Sequence, residues 1–359
     1  MIAGGGTGGH LFPGIAVARE LLARRGDAHV TFVGTSSGIE ARVIPREGFE
    51  LDLIRSAGIK GKSVTSLARG LALLPVSGFD AWKVLSRRRP NVVIGVGGYS
   101  SGPVVLFAAL RGIPTLLMEQ NAVPGLTNRT LARVVNTAAV TYAESLAHFA
   151  GRGFVSGNPV RGEFFQPGGT NEQGDSPPGA ARVLVFGGSQ GAHAINVAMV
   201  EAAPRLAAAT PRLAITHQAG ERDLEMVRDG YRRAGLEARV EPFLFAMDRE
   251  MKAADLVVSR AGATTVAELM AAGRPSILVP LPTATDDHQR RNAEVLAAQG
   301  AAEVLLQRDA TGDAVAALIE SLAADPERRG RMAANVRQLA RPDAARVIVE
   351  RVLELTGAR

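Results

Sequence analysis

The chain predicts two doubly wound α/β domains facing each other across a cleft, and three observations carry that expectation. At 359 residues and about 150 residues per domain, the length fits two domains. Strand, glycine turn and helix open the chain at Met1-Ile2-Ala3 and Gly4-Gly5-Gly6-Thr7-Gly8-Gly9-His10, and the same order recurs at Arg182-Val183-Leu184-Val185-Phe186 and Gly187-Gly188-Ser189-Gln190-Gly191. Between them, residues 166–181 read QPGGTNEQGDSPPGAA, the Pro-, Gly- and polar-rich composition of a linker. The expected division is therefore an N-terminal domain at 1–161, a linker at 162–181, a second domain at 182–341, and an amphipathic helix at 342–359 that packs back on the first domain.

Composition narrows the function. A hydrophobic content of 46% supplies two cores, and the absence of Cys excludes disulfides, a thiol nucleophile and a cysteine zinc site. The first ten residues resemble no signal peptide, and no apolar segment reaches the roughly 20 residues that span a bilayer. The expectation is a soluble, intracellular chain. A formal charge of +6 points to an anionic partner, which could be nucleic acid, a phosphorylated small molecule or an anionic membrane. Nucleic acid fits least, because aromatic content is only 4% and no zinc-finger or RNP-like motif is present.

The first βαβ unit runs from Met1 through a helix expected at 13–26 to a strand at 29–33. Glycines between strand and helix let backbone N–H groups approach phosphate or sugar oxygens at the positive end of the helix dipole, or simply make a tight turn. GGGTGGH is not the dinucleotide pattern, and the end of the second strand holds Gly34-Thr35-Ser36 where NAD would require an acidic residue. His10 is open to two readings. It either starts the helix and bonds its own loop, or it acts as a general base whose ring the dipole keeps neutral.

Residues 67–90 mix Leu71, Leu73, Leu74, Phe79, Trp82 and Leu85 with Arg69, Lys83, Arg87, Arg88 and Arg89. That pattern is a packed helix with a solvated basic end, or a surface lying on an anionic membrane. Strands at 91–96 and 114–118 follow, the second ending in Glu119-Gln120-Asn121. Glu119 could serve a ligand at the sheet edge or cap the following loop.

The second domain continues with strands at 213–218 and 238–242, the junction Phe243-Leu244-Phe245, and the stretch from Ser259 to Asn292. There a strand at 254–259 turns through Gly262 into a helix that Gly273 ends and Pro275 forbids from continuing. A buried strand at 276–280 then delivers the polar loop from Thr283 to Gln289. Two polar loops at neighbouring strand ends describe a site for a polar ligand. Locally, Thr265-Val266-Ala267-Glu268 fits a capping box, which would make Glu268 a helix cap.

Seven ordered motifs add to this reading: GGGTGGHLFPGIAVA, GVGGYSSGP, EQNAVPGLTNR, SGNPVR, FGGSQGA, SRAGATTVAELMAAGRPSILVPLP and DDHQRRNA. Over nearly the whole chain they resemble glycosyltransferase family 28, the enzymes that make lipid II for bacterial peptidoglycan. The resemblance implies the GT-B architecture, two Rossmann-like domains separated by a cleft. It implies inverting transfer of GlcNAc from UDP-GlcNAc to the 4-hydroxyl of MurNAc in lipid I, undecaprenyl-pyrophosphoryl-MurNAc-pentapeptide. His10 matches the family's proposed base. The donor contacts map onto Thr7, Gly8, Gly9, Asn121, Arg161, Ser189, Leu244, Ala263, Thr264, Thr265, Val266, Ala267, Glu268 and Gln289. Uracil would lie against the Phe243-Leu244 backbone, Glu268 would take the ribose hydroxyls, reversing its local reading, and Gln289 near Asp287 would hold the sugar.

The resemblance implies no cofactor, and no metal is expected, since backbone dipoles and Arg161 can meet the leaving diphosphate and the chain lacks an Asp-X-Asp pair in its Asp286-Asp287 loop. It also favours the membrane reading, with Phe79, Trp82, Arg87, Arg88 and Arg89 touching the anionic cytoplasmic face of the cell membrane, where the protein would be peripheral. The rival enzyme reading is another GT-B protein using a UDP-sugar, a glycolipid synthase or a nucleotide-sugar epimerase. The first strand departs from the family pattern by its shortness, which raises the question of how firmly it seats the glycine loop.

Overall fold

The computed structural model describes residues 1–56, 64–166, 179–188 and 191–357, with side chains of the third helix described from residue 73 onward. The chain folds as two compact units, Met1–Val160 with Arg341–Arg359, and Arg161–Ala340. Both are α/β with all-parallel sheets.

The first sheet contains β1 (Ile2–Gly4), β2 (Thr31–Gly34), β3 (Glu50–Leu53), β4 (Val93–Gly97), β5 (Thr115–Glu119), β6 (Thr137–Val140) and β7 (Gly153–Val155), in spatial order 3-2-1-4-5-6-7. Its helices are α1 (Gly8–Arg24), α2 (Glu40–Arg46), α3 (Val64–Arg88), α4 (Ser101–Leu110) and α5 (Leu126–Leu131). Alternation along the strands divides the core in two. Ala3, Val33, Val93 and Leu117 face one side of the sheet with Val104 and Val105 of α4, whereas Ile2, Phe32, Ile94 and Leu116 face the other with Leu11 and Ile15 of α1.

Two sequence expectations change here. The helix after the glycine loop starts at Gly8 rather than Pro13, because Thr7 is extended and takes the N-cap position while Gly8 and Gly9 adopt helical geometry. The short first strand is no weak seat, because β1 lies inside the sheet and pairs with both β2 and β4.

The second sheet contains β8 (Ala181–Phe186), β9 (Leu213–Gln218), β10 (Ala238–Glu241), β11 (Leu256–Ser259), β12 (Ser276–Leu278) and β13 (Ala302–Val304), in order 10-9-8-11-12-13. Its helices are α6 (His193–Ala207), α7 (Leu224–Ala234), α8 (Met247–Ala253), α9 (Ala263–Ala272), α10 (His288–Ala298), α11 (Gly312–Ala323) and α12 (Pro326–Gln338). The 3-10 turn Gly162–Phe165 packs on α8 and α9, and the linker residues 167–178 lie outside the described residues.

The last helix, α13 (Ala344–Leu355), belongs to the first unit. It packs on α1 and brings Ile348, Val349 and Val352 into the core on that face of the first sheet. Among the described residues no helix is long and apolar enough to cross a membrane.

Candidate functional site

In each unit the sheet order reverses direction at one place, between β1 and β4 and between β8 and β11. Ligands of such sheets bind beyond the carboxyl ends of the strands at these points. The glycine loop after β1, the loop after β4 and the start of α9 after β11 sit there.

In the first unit, the loop after β1 is stitched to the loop after β4 by Gly5 N–H donating to the Gly97 carbonyl at 3.3 Å. The approach is so close that a Cβ on Gly98, which has φ +83°, would stand 2.4 Å from the Gly5 carbonyl oxygen. Glu40 holds the loop from behind. Its buried carboxylate accepts from Gly6 N–H at 2.7 Å and from both the amide and hydroxyl of Thr35 at 2.9 Å. The Gly6 amide is therefore committed to the protein, and the amides of Gly8 and Gly9 in the first turn of α1 are those with no preceding helical carbonyl to bond.

His10 is the third residue of α1 and is half-buried. Its ring lies over Gly97, where an added Cβ would meet Nδ1 at 2.8 Å. Nδ1 is 3.1 Å from Oε1 of the buried Gln120, whose Nε2 donates to the Val96 carbonyl at 3.1 Å.

Beside this pair, Glu119 proves to be a loop cap. Buried at the end of β5, it accepts from Asn121 N–H at 3.0 Å, Asn121 Nδ2 at 3.2 Å, Gly125 N–H at 3.1 Å and Asn128 Nδ2 at 2.8 Å. Asn121 is thereby fixed in place.

In the second unit, Gln218 at the end of β9 spans two segments. Its Nε2 donates to the Gly188 carbonyl at 2.7 Å, and its Oε1 accepts from Leu244 N–H at 2.8 Å. Leu244 is buried between the more exposed Phe243 and Phe245, whose rings meet edge to face at 5.0 Å. Ser189 lies outside the described residues.

Gly262 is the N-cap of α9 and Gly273 its left-handed C-cap, as the glycine pattern predicts. The capping box does not form. With Gly262 at the cap, Thr265 is the third helical residue and Glu268 lies in the second turn, out of reach of the helix start. Ala263, Val266 and Ala267 are buried, and Val266 N–H is bonded to the Gly262 carbonyl at 2.9 Å. Polar side chains on this run come from Thr264, Thr265 and Glu268, and the buried Thr264 hydroxyl has no hydrogen-bond partner among the described residues.

Burial raises the Glu268 carboxyl to about pH 7, with Arg161 opposing that shift and Asp248 reinforcing it. Arg161 also stacks on Phe164 at 5.2 Å. Gln289, in the first turn of α10, accepts from Leu281 N–H through Oε1 at 3.0 Å. Arg260 braces the floor by donating to the Val279 carbonyl at 3.0 Å and to Gln307 at 2.7 Å. Among the described residues no group of three or more His, Cys, Asp or Glu is placed to hold a metal.

The basic stretch behaves unevenly. Phe79 and Trp82 are 65% and 48% exposed, and Leu74, Leu106 and Leu110 are exposed as well. Arg111 covers the Trp82 ring at 4.6 Å. Arg87 pairs with Asp52, and Arg88 pairs with Asp52 at 2.7 Å and Glu50 at 2.6 Å, so both charges are met within the protein. Arg89 follows the helix at φ 44° and is exposed.

Glu40, Gln120 and Gln218 were missed by sequence reasoning. The last two share a readable signal, a polar residue closing an apolar strand at its carboxyl end; Glu40 has none, since its partners are assembled by the fold.

Comparison with known proteins agrees with this geometry. The family model described as "Glycosyltransferase family 28 N-terminal domain" matches residues 1–140, and "Glycosyltransferase family 28 C-terminal domain" matches 182–348. The chain is 50% identical, over 99% of both chains, to a Pelobacter propionicus protein named "UDP-N-acetylglucosamine--N-acetylmuramyl-(pentapeptide) pyrophosphoryl-undecaprenol N-acetylglucosamine transferase". A protein of the same name from Anaeromyxobacter sp. strain K is 48% identical, over 100% of this chain and 93% of that one. The crystal structure of Acinetobacter baumannii MurG is similar with TM-score 0.80 and 32% identity, covering 99% of this chain and 98% of that one. A UDP-GlcNAc 2-epimerase from Neisseria meningitidis, at TM-score 0.68 and 13% identity over 98% of each chain, shares the fold alone.

Proposed function

The chain belongs to glycosyltransferase family 28, and on that premise we propose that it moves GlcNAc from UDP-GlcNAc to the 4-hydroxyl of MurNAc in lipid I, forming lipid II with inversion at the anomeric carbon. The observation that carries this reading is 50% identity over 99% of both chains to a protein named for that transfer. The epimerase alternative is not favoured, because those proteins are related at only 13% identity.

In the proposed reaction the acceptor 4-hydroxyl oxygen forms a bond to the GlcNAc anomeric carbon and gives its proton to His10. The bond from that carbon to the diphosphate breaks, and UDP leaves with the electron pair. The half-buried position of His10, on a glycine floor with one ring nitrogen turned inward, supports its role as base. Arg161 and the first-turn amides of α9 supply positive potential for the departing diphosphate. Glu268 accepts from the ribose hydroxyls, Leu244 lines the uracil, and Gln289 takes the sugar through its amide nitrogen, its oxygen being engaged by Leu281. Thr7, Gly8, Gly9 and Asn121 complete the proposed contacts.

Phe79 and Trp82 are the membrane contacts of this proposal, on the cytoplasmic face of the cell membrane where the lipid-linked acceptor resides. Among the three arginines, Arg89 is assigned the larger anchoring share, because Arg87 and Arg88 are already paired.

Incubation with radiolabelled UDP-GlcNAc and a short-chain lipid I analogue tests the assignment. Label in the lipid product is the expected result, and no transfer by folded protein would refute it. Transfer abolished in His10→Ala with UDP binding retained assigns the base.

A further inference from the structure

We infer that Gln120 is a positioning residue for the transfer, one that selects the tautomer of His10 and so decides which ring nitrogen can take a proton; the inference rests on His10 being the base. A backbone carbonyl only accepts, so the group 3.1 Å from the Val96 oxygen must be the Gln120 amide nitrogen. That fixes the orientation of a side chain that is itself buried. Oε1 then has to face Nδ1 of His10 at 3.1 Å, and an amide oxygen also only accepts. Nδ1 must therefore carry the proton. Nε2 is left with its lone pair, as a base requires.

Three features make this arrangement selective. The ring cannot tilt toward β4 without meeting Gly97, where the space for a Cβ is already filled by Nδ1 and Cε1. Gln120 directly follows β5, next to Glu119, whose carboxylate ties down the loop that follows. The Nδ1–H donation is also identical before and after Nε2 takes the acceptor's proton, so the network needs no reorganisation during the reaction.

The test combines a spectroscopic readout with kinetics on the full chain. In the 15N spectrum of the neutral ring, assigned by its loss in His10→Ala, wild-type protein is expected to show a protonated Nδ1 and an unprotonated Nε2. Gln120→Met, of similar length, should move the proton toward Nε2 and lower kcat by about 100-fold with KM for UDP-GlcNAc unchanged, the order of an acid–base contribution. Its folding is verified by thermal melting and UDP-GlcNAc binding.

Gln120→Glu keeps an acceptor at Nδ1 but loses the donor to Val96, so it should recover the Nδ1–H tautomer and at least 10-fold of the lost kcat, as tautomer control predicts. A protonated Nε2 in wild type, or Gln120→Glu no better than Gln120→Met, would overturn the inference. If the tautomer is as stated and His10→Ala still turns over, the base assignment falls while the role of Gln120 in setting the tautomer stands.

Discussion

Glu268 does not take the cap position that its immediate neighbours suggest. The local Thr-Val-Ala-Glu pattern is that of a cap, yet the helix starts earlier, at Gly262, and the carboxyl is left in a desolvated position that raises it to about pH 7. In the proposed complex the ribose hydroxyls donate to this group, which therefore binds best ionised. Below about pH 7 binding must first expel a proton, at about 1.4 kcal/mol per unit of pH. UDP-GlcNAc affinity measured by calorimetry should therefore increase between pH 6 and pH 8 and level off above, with proton release seen in buffers of different ionisation enthalpy. Glu268→Gln should bind more weakly and lose that slope; a slope that persists in Glu268→Gln removes Glu268 as its source. That a carboxylate stands on α9 was legible in the sequence. Its ionisation was not, because burial arises only when α9 packs.

At the scale of elements, the two glycine loops are held by side chains far away in sequence. Glu40, on α2, accepts three hydrogen bonds from the first glycine loop and from Thr35. Glu40→Gln turns an amide donor toward those N–H and O–H donors and should destabilise the protein by about 2 kcal/mol in urea unfolding, the cost of an unmet buried donor. An unchanged midpoint would show that the loop does not depend on it. In the second unit, His217 on β9 is buried between Tyr231, 2.7 Å from Nδ1, and Asn196, 3.0 Å from Nε2. Burial pulls its titration down to about pH 3. The unfolded chain protonates this group near pH 6.5, so between about pH 3 and 6.5 the unfolded state binds the extra proton and stability falls as pH falls. His217→Gln should flatten that portion of the stability–pH profile relative to wild type; equal slopes would assign acid sensitivity elsewhere. The strands and glycine turns were readable from apolar runs and punctuation, whereas the helix start at Gly8 was not, since glycine propensity argues against helix and only the Thr7 cap geometry decides it.

For the molecule as a whole, a net charge of +6 favours anionic surfaces, but the fold redistributes that charge. Arg87 and Arg88 are satisfied by Asp52 and Glu50, so for the proposed membrane contact the exposed Phe79 and Trp82 are expected to contribute more than the arginine run. Co-sedimentation with vesicles containing anionic lipid should drop severalfold in Phe79→Ser/Trp82→Ser and less in Arg87→Gln/Arg88→Gln; the reverse order would return the anchoring role to the arginines. Composition, the recurrence of strand, glycine turn and helix, and the ordered motifs determined by themselves the α/β class, the two Rossmann-like halves and the family, because periodicity and punctuation are local properties of the chain. Tertiary structure alone decided that Glu40 clamps the glycine loop, that Gln120 meets His10 across 110 residues, and that Gln218 joins Gly188 to Leu244. Those contacts depend on which strands become neighbours, and hydrogen-bond direction is set by the partner a buried group finds rather than by the residues beside it in sequence.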